Sequence, residues 1–161
     1  MVGAKWRFLE SETSKTSFAL KPEILLPVSQ AREASGLGDG KTSWALTFIA
    51  TQEVEFGAIH ANLATARHRF RDPAAPDSTS TAASVALVWD VLPQWKLALD
   101  LGYERDKAGG GTTRSRFAEI GAIYSPTDAL DFALGVIRGT NSANPRVTTN
   151  SATVGVTWRF P

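Results

Sequence analysis

Apolar and polar residues alternate with a period of two along almost the whole chain, and no other feature limits its fold so tightly. Gln94–Lys107 is the clearest case. Trp95, Leu97, Leu99, Leu101 and Tyr103 fall on one face, and Lys96, Ala98, Asp100, Gly102 and Glu104 on the other. Successive side chains of a strand point to opposite sides of its sheet, so this segment has one oily face and one charged face. The pattern returns in Phe18–Leu26, Trp44–Thr51, Gly57–Ala64, Ala82–Val91, Ala118–Ser125, Leu130–Ile137 and Ala152–Phe160, and more weakly around Trp6 and Phe8. These segments give nine strands, near 4–10, 17–27, 43–54, 56–70, 79–92, 94–106, 115–126, 129–140 and 147–160, and no segment carries a 3.6-residue stripe. The fold class is all-β, an antiparallel up-and-down meander.

Two environments satisfy such a pattern. In a soluble barrel or sandwich the oily face is the core. In a transmembrane barrel it faces lipid and the polar face lines the interior. Three features favour the membrane. The polar-face residues are often small. Trp89, Trp95, Tyr124, Trp158 and Phe160 gather near one set of strand ends, and Trp44 and Tyr103 near the other, where amphipathic rings suit a membrane–water interface. The connections also alternate in length: short at 52–55, 92–94 and 125–128, long at 28–42, 71–78, 107–114 and 141–146. Outer-membrane barrels have short periplasmic turns and long extracellular loops. No apolar run approaches the roughly 18 residues of a membrane helix, and strands cross a bilayer without one.

Composition narrows the classes further. Lys plus Arg number 17 and Asp plus Glu 16, a balance that speaks against a nucleic-acid partner. The absence of cysteine rules out disulfides and thiolate metal ligands. Residues 1–161 read as one outer-membrane barrel domain, expected to be truncated at its N-terminus. A closed antiparallel barrel needs an even strand count, and nine strands leave the first and last parallel. The opening MVGAKWRFLESETS also lacks a secretory signal. The expectation is a parent barrel of 10–12 strands. The alternative is eight strands closing at residue 17, with 17–27 paired to 147–160.

The final strand, Thr153-Val154-Gly155-Val156-Thr157-Trp158-Arg159-Phe160, resembles the terminal strand signal of outer-membrane proteins. That resemblance implies recognition of Gly155, Trp158 and Phe160 by the outer-membrane assembly machinery. Leu20-Lys21-Pro22-Glu23-Ile24-Leu25-Leu26-Pro27, the glycine-rich Gly36-Leu37-Gly38-Asp39-Gly40, and His60-Ala61-Asn62-Leu63 resemble the outer-membrane family named after the meta-pathway of phenol degradation. The resemblance implies a Gram-negative outer membrane and uptake of small, often aromatic or hydrophobic molecules.

The polar faces supply the candidate site. Lys21, Glu23, His60, Asn62, Asp90, Lys96, Asp100, Glu104, Glu119, Asp131 and Arg159 are expected to face the lumen, where they line a path for small solutes or brace a filled interior. Their mixed signs argue against strong ion selectivity. His60 and His68 share a polar face and read mainly as hydrogen-bonded interior histidines. A lipid-hydrolysing trio of Ser84, a histidine and Glu119 is conceivable on paper, though no spacing demands it. Gly38-Asp39-Gly40-Lys41-Thr42 lacks the first glycine and the following helix of a phosphate loop. Asp39, Asp72, Asp77 and Asp106 read as solvated loop carboxylates rather than cation ligands. The expectation is therefore a non-enzymatic channel or transporter with no cofactor or metal, in contact with a lipid bilayer. A structural barrel is the runner-up and a lipid-acting barrel enzyme the third reading.

Overall fold

The alternation folds as it reads. A computed structural model describes residues 1–143 and 145–160, and nearly all of them lie in one antiparallel sheet. Its strands are β1 (Val2–Gly3), β2 (Trp6–Ser11), β3 (Thr16–Leu25), β4 (Ser43–Val54), β5 (Gly57–His68), β6 (Ser78–Leu92), β7 (Trp95–Ala108), β8 (Gly111–Thr127), β9 (Leu130–Asn141) and β10 (Thr148–Trp158). Both β1 and β2 pair with β3, and the Ala4 N–H donates to the Pro22 carbonyl between them at 3.2 Å. They are two pieces of one strand line, so nine lines run side by side. From β3 onward each strand pairs with its sequence neighbours.

The sheet is not closed. Its free edges are β10 on one side and the β1/β2 line on the other. The eight-strand closure is not adopted, because β3 uses its outer edge to pair with residues 2–11 and not with β10.

Which face is exposed is the most informative feature. Along β7, Trp95, Leu97, Leu99, Leu101 and Tyr103 are exposed, while Lys96, Ala98, Asp100 and Gly102 are half-buried. In β5, Ile59, Ala61 and Leu63 are exposed and His60 and Asn62 half-buried. In β9, Phe132, Leu134 and Val136 are exposed and Gly135 buried. Among the described residues Ala19 is the only buried apolar one. On these strands the oily face is the more exposed outside of the sheet and the polar face is its more sheltered hollow.

Three features depart from the sequence reading or add to it. The link after β7 is not a long loop. Both strands run on to a two-residue turn, Gly109-Gly110, with φ of 55° and 81°. Two successive positive φ values are what a tight hairpin turn between twisted strands requires. Connection lengths therefore do not alternate strictly. Second, the long connection 26–42 holds a one-turn helix, α1 (Gln30–Ala34), too short to leave a periodic stripe. Third, a bulge between Asp90 and Leu92 brings Leu92, not Val91, opposite Trp95 on the oily face. An extra residue in one strand flips the alternation beyond it.

Inside the hollow, bulk and absence of bulk are matched across strands. Gly102 lies opposite Phe117, whose ring occupies the space that a Cβ at Gly102 would need. An aromatic laid over a strand glycine pins curvature and register. Gly102→Ala is therefore expected to cost about 1–3 kcal/mol in chemical unfolding, through displacement of the ring. At Gly155 an added Cβ would meet only the Ala133 Cβ at 3.7 Å, an ordinary contact. Gly155→Ala should stay within about 0.5 kcal/mol, and equal losses at both positions would refute the ring–glycine account.

Candidate functional site

Parity and pairing carry the expected lumen residues to the hollow face, where most are engaged with a neighbour. Lys21 and Glu23, two residues apart on one face, form an ion pair at 3.0 Å. Asp90 and Lys96 lie directly opposite across the β6–β7 turn, with Nζ 2.9 Å from the carboxylate. Arg159 donates to Asp131 and to the Asp128 carbonyl, and Asp131 also accepts from Ser125. His60 Nδ1 is 2.9 Å from the Thr51 hydroxyl, and Asn62 donates to Ser84 at 3.2 Å.

The acidic residues of β7 and β8 are different. Asp100 and Glu119 are direct cross-strand partners, two carboxylates facing one another, and Glu104 stands further along the same face. Glu119 accepts from Thr153 at 3.2 Å, whereas the Asp100 Oδ1 is shielded without a hydrogen-bond partner among the described residues. No ion pair involves any of the three among the described residues. They line a cavity of about 400 Å³ shared with Phe117 and Ile137.

Sequence reasoning missed other members of this face. Asp106 continues the Asp100–Glu104 row, and Glu53 lines a second cavity of about 470 Å³ with Lys5, Arg7, Glu10 and His60. Arg7 and Glu10 pair at 2.6 Å. Plain alternation puts Lys5 and Arg7 on the polar face but Glu10 on the other, and the bulge between Arg7 and Leu9 brings Glu10 round to join them.

Pairing changes the charge balance of the wall. The inward basic residues Arg7, Lys21, Lys96 and Arg159 are each matched by a carboxylate, leaving Lys5. Glu53, Asp100, Glu104, Asp106 and Glu119 have no such partner among the described residues. A wall with nearly balanced formal charge is thus locally negative along β7 and β8.

The remaining candidates are dispersed. Ser84 faces Asn62, His60 faces Thr51, and Glu119 meets Thr153, so the paper trio does not assemble. Asp39 pairs with His68 at 2.8 Å, placing the Gly38–Thr42 segment against β5. In the same region Glu33 accepts from the Arg71 N–H at 2.6 Å, and Arg71 donates to the Gly40 carbonyl at 2.9 Å. Loops 26–42 and 69–77 are therefore tied together at the mouth of the hollow. Asp77 accepts from the Phe70 N–H, and Asp72 from the Ala74 N–H. No group of three or more His, Cys, Asp or Glu suited to a metal occurs among the described residues.

No protein-family model matches the chain, and no curated protein is recognisably similar to it.

Proposed function

We propose that this chain forms the wall of a transmembrane β-barrel in a bacterial outer membrane, through which small solutes, by preference cations, diffuse passively. The observation that carries this reading is the reversed polarity of the sheet. Soluble monomers keep contiguous exposed apolar patches to about 300–600 Å². Here Leu97, Leu99, Leu101, Ile120, Leu134, Val136, Val154 and Val156 share one exposed face across four adjacent strands. Lipid is the solvent that suits it. The cation preference follows from the unpaired carboxylates of β7 and β8, because charged side chains along a narrow aqueous path repel ions of like sign. Kinship with the meta-pathway family is proposed from the sequence motifs alone. Its implied aromatic cargo finds less support in a hollow whose strand-borne aromatic is Phe117.

The test is conductance in planar bilayers. Ohmic current with a reversal potential on the cation side is expected under a salt gradient. An inserted protein that carries no current would favour the runner-up, a barrel with a filled lumen. The Lys21–Glu23, Asp90–Lys96 and Arg159–Asp131 pairs would then serve as interior braces.

The terminal strand carries a second expectation. Trp158 pairs with Leu130 at the end of β10, and Phe160 stacks on it with ring centroids 5.1 Å apart. If the assembly machinery reads this end, Trp158→Ala and Phe160→Ala should slow outer-membrane assembly in cells more than Phe132→Ala on β9. Pulse-chase assembly at one common rate for all three would refute it.

A further inference from the structure

Charge is sorted between the two faces more sharply than hydrophobicity alone requires. On β3 to β10, no outward position carries Asp or Glu. The outward face does carry cations: Arg67, Arg105, Lys107, Arg114, Arg116 and Arg138. All six lie at the loop end of their strands, beyond the band of Leu97, Leu99, Leu101, Ile120 and Val136.

Register brings them together. Arg105 stands directly opposite Arg114, and Thr79 lies between Arg67 and Lys107. Arg116 faces Tyr103, and Trp44 faces Arg67, so amphipathic rings sit at the level of the cations. Like charges directly opposite on a sheet destabilise it. Among the described residues only Arg67 of the six has a carboxylate within 4 Å, Asp77 at 3.8 Å. The Arg105 Nε is shielded and has no hydrogen-bond partner among the described residues. A cross-strand arginine pair without a counter-ion, bordering an apolar band, is suited to an anion that itself carries apolar chains.

We propose that this outward belt binds the phosphate groups of anionic lipid headgroups in the loop-side leaflet, with the acyl chains lying along the apolar band. Arginine forks match phosphate oxygens in pairs, and the long stems reach from the sheet to headgroup level. The proposal rests on the membrane-embedded reading of the sheet and not on conduction.

The experiment inserts the full chain into phosphatidylcholine vesicles and follows protease protection. Failure to insert overturns the membrane reading itself. With inserted protein, electron spin resonance of spin-labelled lipids compares phosphatidylglycerol with phosphatidylcholine at the protein surface. Phosphatidylglycerol should associate several-fold more strongly. The variant Arg105→Gln/Arg114→Gln/Arg116→Gln should lose most or all of that preference. The Lys counterpart at the same three positions should retain most of it, and Lys15→Gln at the opposite rim should leave it unchanged. Should the triple Gln variant not insert, the single variants Arg116→Gln and Arg138→Gln should each weaken the preference. No preference in the inserted wild type, or a preference indifferent to these substitutions, overturns the proposal. So does loss of the preference to millimolar inorganic phosphate but not to chloride of equal ionic strength, which would mark a site for free anions.

Discussion

An arginine at Leu99 or Val154 is expected to cost about 2–4 kcal/mol of stability in a bilayer, the range for a cation facing lipid near the midplane of a barrel. Both residues lie on the oily face, Leu99 at 38% exposure and Val154 at 80%. Their inward neighbours provide the control. Thr153 already donates to Glu119 at 3.2 Å, so an arginine there meets a carboxylate and an aqueous hollow. Ala98 lies inward between Val88 and Gly121, where space is smaller but the surroundings are not lipid. The prediction is therefore an order of damage: Leu99→Arg and Val154→Arg well above Thr153→Arg, with Ala98→Arg between. Urea-induced unfolding from vesicles measures it. Equal damage at Val154 and Thr153 would contradict the assigned faces, and so would an arginine at Val154 that is tolerated.

The second large effect concerns ion preference. Asp100→Asn/Glu119→Gln removes two facing carboxylates while keeping their shape and most of their hydrogen-bonding capacity. The cation-to-anion permeability ratio should fall several-fold toward one, read as a shift of reversal potential. Stability should hold or rise, because two like charges directly opposite on adjacent strands oppose pairing. That combination separates a role in permeation from a structural one. If the carboxylates chiefly brace the wall, the same variant should lose stability and leave the reversal potential unmoved. Asp90→Asn is the contrasting case. It frees Lys96 from its partner at 2.9 Å, and so adds an unmatched positive charge to the path.

Much of the fold is legible in the sequence because a strand has one simple rule, and each segment states it independently. Leu97, Leu99 and Leu101 need no knowledge of β8 to be placed on one face. The misplacements arise where the rule is locally broken. The bulge at Asp90–Leu92 exchanges the faces of Val91 and Leu92 without any sequence mark beyond an ordinary turn. Gly109 and Gly110 read as part of a long connection because Lys107–Arg114 has no large apolar residue to mark an alternation, yet such residues are equally at home at the ends of two paired strands. The site is legible only in part for a different reason. Parity places Asp90, Lys96, Asp100 and Glu119 on the hollow face, but only register tells which charges neutralise one another. Asp90 falls opposite Lys96 and Asp100 opposite Glu119, so one pair cancels and the other adds. The near-equal numbers of acids and bases in the composition, 16 and 17, conceal that difference. They also conceal the belt of cations on the opposite face.

The three bulges, at Arg7–Leu9, Asp90–Leu92 and Tyr124–Thr127, all lie at the short-turn end of their strands. A bulge fixes register, because sliding the pair by one residue would misplace the extra residue as well as every side chain. Each affected hairpin thus carries its alignment beside the turn that nucleates it. Hairpins of this kind form in about 1–10 μs, and loop-closure entropy grows by only about 0.6 kcal/mol for each doubling of the loop. Because every pairing in the sheet joins neighbours in the chain, ordering can spread from hairpin to hairpin without a long-range search. The free edges of β2 and β10 stand outside that economy. Their outer backbone groups have no partner strand among the described residues, and such edges are the places most open to edge-to-edge aggregation.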